Sequence, residues 1–247
     1  DEAGEPVRWV EGPAEAGVHR VNWDLRRPAP DPIDLTVPEF VPPWAGDPEG
    51  PLAPPGRYTA QLVLVSSSGA EHLGEPRSFA VKPVPTAPEG TDFVAVARFQ
   101  SEAGELMRRV AGAGEEISRA RDRLRHMRRA LLRAPRAELA LFQRLDTLEA
   151  ELASLSRRLS SDPVRGRLNE PSVPSIRGRV SRVVNGHWDT RQAPTATQRR
   201  NLEIAARDFA ALEGELITLL QTTLVGLEED LEAAGAPWTP GRKLPRP

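Results

Sequence analysis

A chain of 247 residues with a net charge of −2 and no cysteine has room for about two domains. Disulfide and thiolate chemistry are closed to it. The near balance of charge gives no global attraction to nucleic acid or to a membrane, and no run of 18 or more apolar residues offers itself as a bilayer span. The basic residues are Arg apart from Lys82 and Lys243, a skew that suits bidentate anion contacts and equally follows from a coding bias toward Arg. The chain starts at Asp1 with neither an initiator Met nor a signal-peptide pattern, so it reads as a processed piece whose targeting signal lies elsewhere.

Residues 1–88 are rich in Pro and Gly and alternate as strands do. Gly17–Leu25 sets Val21, Trp23 and Leu25 on one face, read as the buried one. Pro6–Val10 is a weaker strand candidate. A stretch numbered 27–55 is a long Pro-laden loop that contains Phe40, Val41 and Trp44. Two readings of Trp44 stand open: a plug for the end of its own domain, the commoner case, or an exposed anchor for a partner. Pro55-Gly56 signals a turn, after which Arg57–Val65 reads as a strand with Tyr58, Ala60, Leu62 and Leu64 on one side. Ser66–Ala70 is a hairpin turn and Arg77–Lys82 the returning strand. The alternation predicts a small antiparallel β-sandwich of the immunoglobulin or fibronectin kind. A stiff Pro-rich join, Lys82–Gly90, ends it.

Residues 91–235 change to Ala, Leu, Arg and Glu with helical spacing. Phe99, Ala103, Leu106, Val110, Ala113, Ile117, Ala120, Leu124, Met127 and Leu131 step by four and three without a break. That is the seam of a long helix over 92–134, roughly 60 Å in length. Gly112 and Gly114 predict either a close approach of another helix or a kink. Further helices are predicted at 136–160, with Leu139, Phe142, Leu145, Leu148 and Leu152 inward, at 175–186, and at 196–234, where Thr195 to Gln198 forms a capping box. Gly235 and Pro237 stop the last one, leaving 236–247 as a Pro-rich tail. The whole predicts a multidomain β plus α protein, a sandwich followed by an antiparallel up-down four-helix bundle. That topology gathers Arg121, Arg125, Arg128 and Arg129 with Arg199 and Arg200 at the pole far from the sandwich. It sends the acidic run Glu228–Glu232 to the other.

Nothing in the sequence assembles a catalytic group. The four histidines have no metal-ligand spacing, and no nucleophile elbow or phosphate loop occurs. No metal or cofactor is expected, and the chain reads as no enzyme. Asn185–Asp189 places His187 beside Trp188 and Asp189, and reads as a helix end with a Gly stop rather than a polar site. The Arg cluster is first a solvated helix face and second an anion site. It lacks the aromatic residues of single-strand binding, which argues against nucleic acid.

Val18–Pro30, Trp44-Ala-Gly46, Gly50–Thr59 and the Pro194–Gln198 entry to the last helix resemble the C-terminal region of secreted bacterial BNR-repeat (sortilin-like) β-propeller proteins. Asp1–Arg8 and the Trp23-Asp24 strand also resemble the flagellar-hook-cap (FlgD-type) immunoglobulin-like domain. The resemblance implies an exported protein, periplasmic, cell-surface or secreted. It further implies a propeller outside these residues and a first sandwich strand that precedes Asp1, so that one edge is open. Its Ser-x-Asp-x-Gly-x-x-Trp boxes are not in this sequence, so nothing here carries a glycosidase activity. The resulting expectation is a non-catalytic accessory module, a spacer, docking or oligomerisation element, with polyanion binding as the alternative. Its partners are the propeller of its own protein, another chain or a second copy, with no insertion into membranes.

Overall fold

The computed structural model describes residues 1–36, 39–87 and 89–244; Val37, Pro38, Pro88 and residues 245–247, which fall in the long loop, the Pro-rich join and the tail, lie outside the described residues. The chain is mixed β and α: one two-stranded antiparallel sheet, then helices. Its contacts form two compact units, Asp1–Glu105 with Val184–Ala196, and Leu106–Val183 with Thr197–Pro247. The division falls inside the first helix, whereas the composition changes near residue 88.

In the first unit, β1 (Gly56–Ser66) and β2 (Gly69–Val81) form a hairpin closed by Ser67 and Ser68. Ser66 Oγ accepts the Ser68 N–H at 3.3 Å, and Gly69 takes a φ of +132° that a side chain would resist. The ladder slips opposite Gln61, where Gly74 to Pro76 stand against a single β1 residue. Pro76 has no N–H to give, and the Gln61 amide fills the gap by donating to the carbonyls of Leu62, Leu73 and Gly74 at 3.0 to 3.3 Å. Tyr58 and Phe79 stack at 6.0 Å, and the Trp23 indole lies edge-on to both. Tyr58 is buried there, but Ala60, Leu62 and Leu64, expected to share its covered face, are exposed.

The expected strand Gly17–Leu25 does not pair. Leu25 adopts φ +60°, and Asp24 Oδ1 accepts the Arg26 N–H at 2.8 Å. This local turn ends the extended run. Among the described residues its backbone pairing shrinks to a single bridge, Arg26 to Leu52, with Arg27 N–H to Pro51 O at 2.9 Å and Ala53 N–H to Leu25 O at 2.7 Å. The prolines at 28, 30, 51, 54 and 55 remove the donors that a longer ladder needs. Val21 and Leu25 are consequently exposed and Trp23 is only half-buried. Pro6–Val10 is no strand either.

α1 (Phe93–Leu131) is one unbroken helix. Asp92 caps it, its Oδ1 accepting the Ala95 N–H at 2.9 Å. Every seam residue from Phe99 to Leu131 is buried. Gly112 neither kinks the helix nor admits a neighbour: a Cβ there would meet nothing within 4 Å, and one at Gly114 would make ordinary contact with Leu159. Gly112→Ala should therefore stabilise the protein by about 1 kcal/mol, the helix-propensity difference, read as a raised midpoint in urea unfolding.

In the second unit α1 packs with α2 (Leu139–Ser160), α4 (Ile176–His187), α5 (Ala196–Thr218) and α6 (Leu224–Ala233), while α3 (Pro163–Arg167) is a single capped turn. Leu145, Leu148, Leu152, Leu155 and Leu159 of α2 are buried; Leu139 is exposed, because α2 only begins there. α5 passes into α6 through a π-turn, Leu219–Thr223. The buried stripe explains it. Ala205, Phe209, Leu212 and Leu216 step by four and three, but the next fully buried residue, Leu224, comes eight residues later instead of seven. A π-turn absorbs one extra residue and returns Leu224, Leu227 and Leu231 to the core.

Ion pairs fix the helix directions. Arg109 pairs with Glu213 and Arg123 with Glu228, so α1 and α5–α6 run parallel. Arg158 pairs with Glu215 and Arg144 with Asp230, so α2 runs against α5–α6. This corrects the up-down expectation, in which the last helix opposes the first. The physical reason lies in the connection through α3 and Pro174, which does not reverse the chain. α4 starts beside Gly114, the α1 residue that also faces Leu159 at the end of α2. At the C-terminus Gly235 (φ +72°) ends α6, with Ala236 N–H returning to Leu231 O at 3.0 Å. Residues 236–244 are not a free tail. Arg242 is buried and donates to Pro237 O at 2.9 Å and to Glu232.

By length and composition, Ala196–Ala233 also qualifies as a helix able to cross a membrane. Glu213 and Glu215 interrupt the apolar run in the sequence. Phe209, Leu212, Leu216 and Leu224 already have protein partners in the second unit.

Candidate interaction surfaces

Helix direction decides what the arginines can do. Arg121, Arg125, Arg128 and Arg129 lie within three turns on the last part of α1. Arg199 and Arg200 lie at the start of α5, which runs parallel to α1, so the structure does not bring the two groups together. At 1.5 Å per residue they are on the order of 40 Å apart. The acidic run Glu228–Glu232 comes to the same end as the α1 arginines rather than the opposite one, as Arg123–Glu228 and the hydrogen bonds from Arg136 to Ala233 O require. The two charged groups expected at opposite poles share one end, where Arg123 pairs with Glu228.

Three of the candidate arginines have carboxylate partners of their own. Arg128 bridges Asp146 and Glu149, Arg125 pairs with Asp122 on its own helix, and Arg200 with Glu203. The hydrogen bonds that the Arg128 guanidinium donates to Asp146 and Glu149 push its pKa above its ordinary range. Arg158 holds the Glu215 carboxyl below the usual carboxylate range. These pairs are largely exposed, and each contributes less than about 1 kcal/mol. Arg121 and Arg129 have no carboxylate within ion-pair distance among the described residues.

Trp44 does not plug its own domain. It is 84% exposed, and Phe40 and Val41 beside it are exposed too. Trp44 sits in a turn held by Ala45 N–H to Pro42 O at 2.9 Å, and Phe40 and Val41 lie just before that turn.

In the Asn185–Asp189 segment His187 and Trp188 are buried, while Asn185, Gly186 and Asp189 are exposed. Gly186 lies inside α4 rather than stopping it. His187 is buried against Phe99, ring centroids 5.0 Å apart. Its Nε2–H donates to Gln192 O at 3.0 Å, which leaves Nδ1 facing the Gln100 amide at 3.4 Å. The same amide donates to His187 O at 2.8 Å and Thr190 O at 3.2 Å. Trp188 packs where Gly104 leaves room for its ring. Arg26 reaches Asp189 at 2.8 Å and Glu49 at 3.0 Å. Burial and the charge of Arg26 press the Arg191 guanidinium below its ordinary range, and burial raises the Tyr58 hydroxyl. Sequence reading missed Gln100, Arg26 and Arg191. Gln100 could have been noticed as a polar neighbour of the seam at Phe99.

No group of three or more metal-ligating side chains exists among the described residues. No protein-family model matches the chain, and no curated protein or solved structure is similar to it. What the geometry does show is that the two segments Val18–Pro30 and Gly50–Thr59 meet in space. The Arg26–Leu52 bridge joins them, the Trp23 indole donates to Arg26 O at 2.9 Å and touches Tyr58, and the backbone of Gly50 lies against Arg27 and Pro28.

Proposed function

We propose that the chain is a non-catalytic accessory module, the C-terminal part of an exported BNR-repeat β-propeller protein, which docks on that propeller or on another chain and uses α1 as a rigid spacer. The observation that carries this reading is the apolar segment Phe40–Trp44, three large side chains standing in solvent on a Pro-rich loop, with Trp44 in a hydrogen-bonded turn. An aromatic anchor on a pre-ordered turn gives up little entropy on binding. The continuous α1 supports the spacer role, and the Trp23–Tyr58–Phe79 stack supports reading the first unit as a reduced immunoglobulin-like domain. Pull-down with the propeller of the same protein tests the docking: the native chain should bind, and Trp44→Ala should weaken binding about 30- to 100-fold. A native chain without affinity for the propeller overturns the reading.

The second reading, polyanion binding, is favoured by Arg121 and Arg129, which have no carboxylate partner among the described residues. Arg121→Glu with Arg129→Glu should then abolish a salt-sensitive retention on heparin. If the native chain passes through unretained, this reading falls.

A further inference from the structure

The two strands of the hairpin treat their free edges differently. β2 carries Glu71, Glu75 and Arg77, and its bulge puts Gly74 (φ +67°) and Pro76 along it. Charges, a proline and a bulge keep a further strand from pairing. β1 has none of these from Thr59 to Ser66; its run Thr-Ala-Gln-Leu-Val-Leu-Val-Ser is uncharged and holds neither Pro nor Gly.

The exposed edge of β1 has definite limits. The Arg57 N–H points away from β2, donating to Glu2 Oε1 at 3.2 Å. By alternation the main-chain groups of Thr59, Gln61, Val63 and Val65 point the same way. The sheet has no third strand among the described residues. Glu2 thus covers one end of the edge and the Ser67-Ser68 turn closes the other, which leaves a stretch centred near Val63. Leu62 on one face and Val65 on the other are open to solvent, at 66% and 76%, while Gln61 and Val63 are half-buried.

We propose that this edge pairs with β1 of a second copy of the chain, antiparallel about a two-fold axis at Val63, to give a four-stranded sheet. A two-fold interface brings one surface against itself, and an uncharged strand is what tolerates that. Val63 meets the second copy's Val63, Leu62 meets its Leu64, and Gln61 meets its Val65. Arg57 falls opposite Gly69 of the second copy, so no two like charges oppose each other. Main-chain hydrogen bonds supply the affinity, and the alternating Leu and Val supply the register. The surface is separate from Phe40–Trp44, so docking to a propeller stands or falls independently.

Sedimentation equilibrium of the full chain tests the proposal. The mass should rise with concentration toward twice the 27.0 kDa of one chain. Val65→Lys should weaken the dimer by at least about tenfold, whereas His72→Lys on β2 should leave it unchanged. Because the chain has no cysteine, Val63→Cys gives a test independent of the lysine variant. A short bis-maleimide should join two copies through Val63→Cys and not through Thr59→Cys. A native chain that stays monomeric at several hundred micromolar overturns the proposal. So does a dimer indifferent to Val65→Lys, or one that Val63→Cys does not cross-link.

Discussion

Deleting Glu116 from α1 should leave the second unit unfolded, whereas deleting Gln221 from the π-turn should leave it folded. Both residues are exposed, so neither loss is a loss of packing at the deleted position. The difference lies downstream. Losing one residue from α1 turns all that follows by about 100°. Ser118, Arg121, Arg125 and Arg128 then enter the seam in place of Ile117, Ala120, Leu124 and Met127, which are all buried. Burying three guanidiniums without partners costs several kcal/mol each, more than the whole stability of a typical domain. In the last helix the same loss removes the extra residue. Leu224 then follows Leu216 by seven, Leu219 takes the intervening seam position, and the π-turn can relax to an α-helix with Leu227 and Leu231 still inward. Circular dichroism and thermal unfolding check both: no cooperative transition without Glu116, and a midpoint within a few degrees of native without Gln221.

Gly50→Ala should destabilise the first unit by about 3 kcal/mol. A Cβ at residue 50 would lie 2.8 Å from the carbonyl carbon of Arg27 and closer still to the oxygens of Arg27 and Pro28. These are backbone atoms pinned by the Arg26–Leu52 bridge and the hydrogen bonds on either side of it, so they cannot swing aside as a side chain would. Arg26 also donates to Gly50 O at 3.1 Å and pairs with Glu49 and Asp189, so a displaced Gly50 disturbs those contacts together. The checks are a lowered urea midpoint and increased Trp fluorescence exposure. Gly112→Ala, with open space around it, is the matched control.

The long helix was legible because its apolar residues recur at a fixed step over ten positions, which no strand or loop can satisfy. The hairpin was legible from Pro55-Gly56 and the Ser-rich turn. Direction was not. A stripe says which face of a helix is buried but not whether its neighbour runs up or down, and the missing reversal after α2 inverted the expected end of the bundle for Arg199, Arg200 and Glu228. The unpaired segment Gly17–Leu25 alternates like a strand, yet the left-handed Leu25 and the prolines around it decide otherwise, and backbone sign is not written in alternation. The joint at His187 was hidden because its main partner, Gln100, stands 87 residues away. The slip of one residue between Leu216 and Leu224 was present in the sequence and is the clearest signal that a closer count would have read.

The parallel packing of α1 with α5–α6 puts the acidic end of the last helix beside the α1 arginines. Two spin-labelled cysteine pairs test it in a chain that has no cysteine of its own. Labels at Arg129 and Glu229 should lie within about 25 Å, and labels at Arg129 and Arg200 on the order of 40 Å apart. The reverse order of the two distances, with residue 200 close to residue 129, would contradict the account.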